Sequence, residues 1–189
     1  CYTKEDVEKF RAAVVKYVVP VASSIYREQA ARLGKSYPMN FADNALMFRS
    51  GNPKPCGTPA EILAQGKHFY EELSPETGEF FNTMLDNELL DVLSTPGKRA
   101  GGYCTSLGDY HVPFIFANFN GTQHDVEVVT HEAGHAFAAW LNRDRIPQSY
   151  IWPSLEACEV HSMSMEFFAW PWAEGFFGED TRKFRYSHL

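Results

Sequence analysis

Val126-Glu127-Val128-Val129-Thr130-His131-Glu132-Ala133-Gly134-His135-Ala136-Phe137-Ala138-Ala139-Trp140 is the stretch on which the reading of this chain turns. Val126, Val129, Ala133, Ala136, Phe137 and Trp140 recur at spacings of three and four, the period of a helix with one buried stripe. His131 and His135 flank that stripe. Four residues apart on a helix, they stack on one face and can aim two ring nitrogens at a single metal ion. Glu132 lies beside the same spot and is placed to take a proton from water held there. Gly134 costs an interior turn about 1 kcal/mol relative to alanine, so its presence predicts a close approach to the backbone. Upstream, Asn120-Gly121 is a turn signal, and Thr122 with Asp125 reads as a capping-box-like helix start.

H-E-x-x-H by itself is a weak signal, and its bland reading is a solvated face that carries two histidines. The supply of a third donor sharpens it. A catalytic zinc site takes three protein ligands and leaves one position open. Ala138 and Leu141 stand where the metzincin extension needs Gly and His, so that pattern fails. Ser154-Leu155-Glu156-Ala157-Cys158-Glu159-Val160-His161 instead offers carboxylates on a second expected helix opened by Pro153-Ser154. A carboxylate from a following helix is how gluzincins complete their site. Before the first helix, Val112-Pro113-Phe114-Ile115-Phe116-Ala117-Asn118-Phe119 reads as a strand, and Pro113 assigns it to a sheet edge. An edge strand there can pair with an extended peptide, which makes Ala117 and Asn118 candidate substrate-binding residues.

These segments resemble the thimet oligopeptidase and oligoendopeptidase F family of zinc metallopeptidases. The likeness runs from Gly101-Gly102-Tyr103-Cys104 through Phe114 to Gly121 and into His124 to His135. Glu159-Val160-His161-Ser162-Met163-Ser164-Met165-Glu166 matches the family's second motif, E-x-x-S-x-x-x-E, and Ser74-Pro75-Glu76-Thr77-Gly78-Glu79-Phe80-Phe81 is similar to its bacterial branch. The resemblance implies that His131, His135 and Glu159 ligate zinc and that Glu132 is catalytic. It also implies an acidic residue outside the ligand shell at Glu156, in keeping with the habit of ligating histidines to donate their other N–H to a carboxylate. Glu166 is a further candidate for that role. Family members are much longer than this chain and carry transition-state donors, a histidine and tyrosines, in a later Gly/Tyr-rich segment expected beyond residue 189. The reading is therefore an internal catalytic-region fragment, residues 1–189, of a larger helical peptidase. Short peptides are its implied substrates, and the remainder of the parent polypeptide its implied partner.

Composition bounds the alternatives. The 189 residues carry 17 basic and 24 acidic side chains, a net charge of −7, with no basic stripe, so nucleic acid is not an expected partner. There is no run of 18 apolar residues, and a membrane span is not expected either. Cys1, Cys56, Cys104 and Cys158 are irregularly spaced and read as reduced thiols of a cytoplasmic protein. Cys158 adjoins Glu159 but points about 100° away on a helix, so it reads as packing.

The remaining pattern is helical. Thr3 to Asp6 caps a helix with Val7, Phe10, Val14, Tyr17 and Val18 on one side, Pro20 kinks or divides it, and a second helical run through Ile25 and Leu33 ends at Gly34. Ser36 to Thr58 is irregular. Thr58-Pro59-Ala60-Glu61 is a capping box for a helix burying Ile62, Phe69 and Leu73. Ser74-Pro75 starts the next helix, with Phe80, Phe81, Met84, Leu85, Leu89 and Val92 inward. Period-two alternation then runs through Tyr103 and Leu107. The expected fold is mainly α, a gluzincin-type catalytic region with a small antiparallel sheet beside the H-E-x-x-H helix. The expected function is hydrolysis of peptide bonds in short peptides by a zinc-activated water. A zinc-binding structural or regulatory module is the alternative, in which Cys104 or Cys158 closes the metal site.

Overall fold

The computed structural model describes residues 2–188, so Cys1, one of the four expected thiols, and Leu189 lie outside the described residues. Two compact units are present, Cys1–Asn52 and Pro53–Leu189.

In the first unit, α1 (Lys4–Ala13) opens on a capping box between Thr3 and Asp6, and α2 (Val19–Leu33) follows through a π-helical turn at Val14–Val18. Pro20 explains that turn. It has no N–H to donate and its ring crowds the carbonyl one turn back, and the wider winding before it relieves both. Gly34, at φ 72°, closes α2 in the left-handed region. The irregular segment that follows is tied down by side chains. Gln29 donates to the Leu46 carbonyl at 2.6 Å, and Asn52 accepts from Met47 N–H at 2.7 Å while donating to the Ala45 carbonyl at 2.7 Å.

The second unit contains the H-E-x-x-H segment. Helices α3 (Pro59–Leu73) and α4 (Pro75–Asp86) lead into strands β1 (Leu90–Leu93), β2 (Tyr103–Leu107) and β3 (Val112–Phe119). Helices α5 (His124–Leu141), α6 (Cys158–Phe168), α7 (Ala173–Phe177) and α8 (Thr181–Ser187) complete it. Their core joins Ile62, Phe69 and Tyr70 of α3 and Phe80, Phe81 and Met84 of α4 to Ile115, Ala117 and Phe119 of β3. Val126, Val129, Ala133 and Ala136 of α5 lie against these. Tyr70 stacks on Phe81 at 4.5 Å, and its hydroxyl donates to the Val129 carbonyl at 3.0 Å, linking α3 to the centre of α5.

Three local expectations need correcting. The sheet is mixed, in the order β1-β3-β2, with β2 antiparallel and β1 parallel to β3. Strand β3 is therefore central and not an edge. Pro113 is tolerated because β1 pairs only with Ile115 through Phe119, so no β1 partner is opposite the missing N–H. Strand β1 itself hides in the expected run of helix α4. That helix stops at Asp86, where Glu88 adopts φ 55° and the N–H groups of Glu88 and Leu89 reach back to the carbonyls of Leu85 and Met84. This Schellman closure ordinarily uses glycine, so a glutamate there gives no warning in the sequence. Leu89 and Val92 are buried as expected, but from the turn and the strand. The start of α5 also differs. Gln123 occupies the cap position without a capping hydrogen bond from its side chain, and Asp125 instead accepts from the N–H groups of Asn120 and Gly121, at 2.9 and 2.7 Å.

Helix α5 packs chiefly on α6 and β3. Its crossing with α6 is set by Gly134, where a Cβ would lie 2.7 Å from Ser162 Cα, 3.1 Å from Met165 Cβ and 3.2 Å from the His161 carbonyl oxygen. Two of those atoms are backbone, so no rotamer change relieves the clash. Gly134→Ala is expected to destabilise the protein by about 1–3 kcal/mol through overpacking, despite the better helix propensity of alanine. Urea unfolding checks this, and an unchanged or raised midpoint would show that the crossing does not need glycine. Tyr70→Phe, which removes one buried hydrogen bond and keeps the ring stacking, is expected to cost about 1 kcal/mol in the same measurement.

Candidate metal centre

The crossing brings two turns of α5 face to face with the first turn of α6. His131 Nε2 lies 3.1 Å and His135 Nε2 3.4 Å from the same atom, Glu159 Oε2. The two imidazoles stand edge to face, with ring centroids 5.0 Å apart. One donor atom from each of His131, His135 and Glu159 fits within 4.8 Å of the others. Among the described residues this is the only group of three or more His, Cys, Asp or Glu side chains so arranged, and no cysteine joins it. Two imidazole nitrogens and a carboxylate oxygen form the donor set that suits zinc with one position left over.

What holds the rings is a layer of partners on their outer nitrogens. His131 Nδ1 is 2.5 Å from Glu166 Oε1, and His135 Nδ1 is 3.2 Å from His161 Nε2. With Nε2 of each ring turned toward Glu159, the proton belongs on Nδ1, donated outward in both cases. Glu159 is oriented in turn by Ser162, a fully buried residue whose hydroxyl is 2.9 Å from Oε2 and 3.1 Å from the Glu159 carbonyl oxygen. Its position in the first turn of α6 also favours the anion, because the helix dipole is positive there.

The titration of these groups follows from the same contacts. The hydrogen bond to Glu166 raises the pKa of His131, whereas burial lowers those of His135 and His161. Burial alone would raise Glu166, but hydrogen bonds from His131 and His188 outweigh it and hold the carboxyl at about 2. The Ser162 hydroxyl keeps Glu159 below the ordinary carboxylate range. Glu132 moves the other way, raised chiefly by burial although the backbone N–H of Cys104 on β2 opposes the shift. Glu132, His131 and Glu166 share with His124, Glu127 and Val128 a cleft of about 240 Å³. A larger hollow of about 640 Å³ lies elsewhere, between Thr83, Leu107, Trp140 and Arg143, and contains none of the three donors.

Of the expected residues, His131, His135 and Glu159 are brought together, with Glu132 beside them. Glu156 is not where the spacing suggested. Helix α6 begins only at Cys158, so Glu156 lies in the preceding turn, exposed, and Glu166 and His161 take the outer nitrogens instead. Ala117 is fully buried in the core, and Asn118 Nδ2 is spent on the carbonyls of Arg99 and Gly101, at 2.8 and 2.9 Å. With both flanks of β3 occupied, the open edge beside Glu132 belongs to β2. Cys158 leans on the site without entering the donor group, its Sγ 3.0 Å from the Leu155 carbonyl oxygen and 3.5 Å from Glu159 Oε1. Glu166 carries a signal in the second motif. His161 and His188 carry none, because only the packing of three helices shows what they face.

Comparison with known proteins gives this geometry a context. A family model described as Peptidase family M3 matches residues 67–182. Oligopeptidase PepF of Bacillus subtilis (strain 168) is 30% identical over 95 residues, 50% of this chain and 14% of that protein. The chromosomal oligoendopeptidase F of Lactococcus lactis subsp. cremoris is 31% identical over 114 residues, 60% of this chain and 17% of its own length. Among solved structures, a protein named as an oligoendopeptidase F of Bacillus anthracis str. Ames superposes with a TM-score of 0.92 at 50% identity, covering 99% of this chain and 34% of that one. PZ peptidase A with an inhibitor gives a TM-score of 0.93, again at 50% identity, over 99% of this chain and 33% of its own. The chain thus spans about a third of the solved chains and less of the curated relatives it matches. No described helix is long and apolar enough to cross a membrane. The match over residues 67–182 covers well over half of the sequence and includes both helices of the donor group, and the chain belongs to peptidase family M3.

Proposed function

We propose that this chain carries the zinc site and the general base of an endopeptidase that cleaves short peptides, acting in the cytoplasm as part of a longer polypeptide. The observation that carries the reading is the meeting of His131 Nε2, His135 Nε2 and Glu159 Oε2 at one point. These three residues would hold the ion, and among the described residues no thiol closes the remaining position. A zinc ion so held supplies Lewis acidity, which brings the pKa of water to about 7 and polarises a peptide carbonyl.

The protein's own groups do the rest. Glu132 accepts the proton of the attacking water and returns it to the leaving amine. Its burial supports that role, since a raised pKa brings its proton affinity nearer the working pH. Strand β2 pairs with β3 on one side only, and its Cys104 N–H faces Glu132. An extended peptide added to that free edge lies alongside the base, with main-chain hydrogen bonds setting its register. The preference for short peptides is taken from the names of the oligopeptidase relatives. The free thiols of Cys56, Cys104 and Cys158 suit a reducing compartment.

Two variants test the assignment in the purified protein. Glu132→Gln is expected to keep stoichiometric zinc while peptide turnover falls by about 10²–10⁴. Turnover near the parental rate in that variant would remove Glu132 as base. His135→Ala is expected to lose zinc, measured by elemental analysis after purification without added metal. Full retention of zinc would show that the ion is held elsewhere.

A further inference from the structure

The hydrogen bonds around the donor group do not stop at Glu166. Its second oxygen, Oε2, is 2.6 Å from His188 Nε2. His188 follows α8 and is separated from the donor group by a long stretch of sequence, yet its side chain is only 9% exposed. Phe184 stacks on Phe177 with centroids 4.1 Å apart, which pins α8 to α7. Phe167, Trp170 and Phe184 then surround the His188 ring, with centroids at 5.8, 6.0 and 5.1 Å. An imidazole enclosed in this way has little freedom to turn over.

Its protonation is set by what each nitrogen faces. Nε2 faces a carboxylate oxygen, whereas Nδ1 is buried without a hydrogen-bond partner among the described residues. A proton on Nδ1 would leave a buried N–H unpaired and set a lone pair against the carboxylate, and both are unfavourable. The proton therefore sits on Nε2 and is donated to Glu166.

We propose that His188 is a positioning residue for the metal centre: by holding Glu166 Oε2, it leaves Oε1 to accept from His131 Nδ1–H and so keeps His131 Nε2 bare toward the ion. The reason lies in the carboxylate. The terminal torsion of a glutamate is soft, with broad minima. Glu166 is 15% exposed, so an oxygen released by His188 has little water to turn to. The cheapest response is rotation toward another donor, which moves Oε1 off His131. Hydrogen bonds on both oxygens remove that freedom. The relay His188–Glu166–His131 thus makes the residue that follows α8 a support for the first ligand.

This inference rests on the zinc reading above, so the test separates the two. Zinc affinity is measured by chelator competition on the purified protein, with the wild type first. A wild type that binds no zinc ends the metal reading and this inference together. Given binding, His188→Met removes the donor at similar bulk and is expected to weaken zinc by about tenfold, the lower end for outer-shell changes. His188→Gln, whose Nε2–H can reach the same oxygen, is expected to restore most of the loss. In Glu166→Gln protein, His188→Met is expected to add nothing, since both act through one contact. Wild-type affinity in His188→Met, or losses that multiply in the double variant, would overturn the proposal while leaving the zinc site intact. Should the Met variant fail to fold, side-chain ¹⁵N resonances of the wild type decide: an Nε2-protonated His188 is expected, and an Nδ1-protonated ring would sink the idea.

Discussion

Contact between the backbones of α5 and α6 at Gly134 is the constraint from which the donor group follows. A carboxylate on a first helical turn and two imidazoles on a neighbouring helix can share one point only if the axes come close. Any side chain at residue 134 would hold them apart, because Ser162 Cα lies only 2.7 Å from where a Cβ would stand. The same approach buries Ser162 and aims its hydroxyl at Glu159. One missing methyl group therefore sets both the separation of the two helices and the orientation of the acidic donor.

Orientation of the imidazoles is a second, separate matter. A histidine in a half-buried setting can present either nitrogen, and the choice is made by the partner on the far side of the ring. Here one partner is an anion and the other a second imidazole, so the two rings are not electrostatically equivalent. Glu166 draws a proton onto His131, whereas His135 next to His161 is disfavoured as a cation by burial. A polar network of this kind is favourable only when its members are satisfied. The aromatic shell around His188 and the chain Glu166–His131 meet that condition at all but two nitrogens, Trp170 Nε1 and His188 Nδ1.

The sheet serves the site in a way its composition does not announce. Strand β3 supplies the alternating face that packs under α5, with Pro113, Ile115, Ala117 and Phe119 inward. Being flanked on both sides, it fixes the position of α5 and is closed to further pairing. The short parallel strand β1 closes one flank, and β2 closes the other while keeping its own outer edge open beside Glu132. The strand richest in apolar residues is thus structural, and the more polar Tyr-Cys-Thr-Ser-Leu strand runs beside Glu132.

Periodicity and spacing alone were enough for the helices α3 and α5, for the buried stripe of α5 and for the candidates His131, Glu132 and His135, because these depend on contacts within one turn or two of the same helix. The glycine at residue 134 also announced a close approach. The choice of Glu159 over Glu156 came from a motif resemblance, and the structure brings Glu159 to the imidazoles because α6 starts two residues after Glu156. Closure of α4 by a left-handed glutamate, the parallel partner of β3 and the outer contacts of His161, Glu166 and His188 belong to the tertiary structure. Each depends on segments far apart in the chain meeting at hydrogen-bonding distance. Local pattern carries no information about which distant polar group will satisfy a buried nitrogen, and packing of the helices alone decides it.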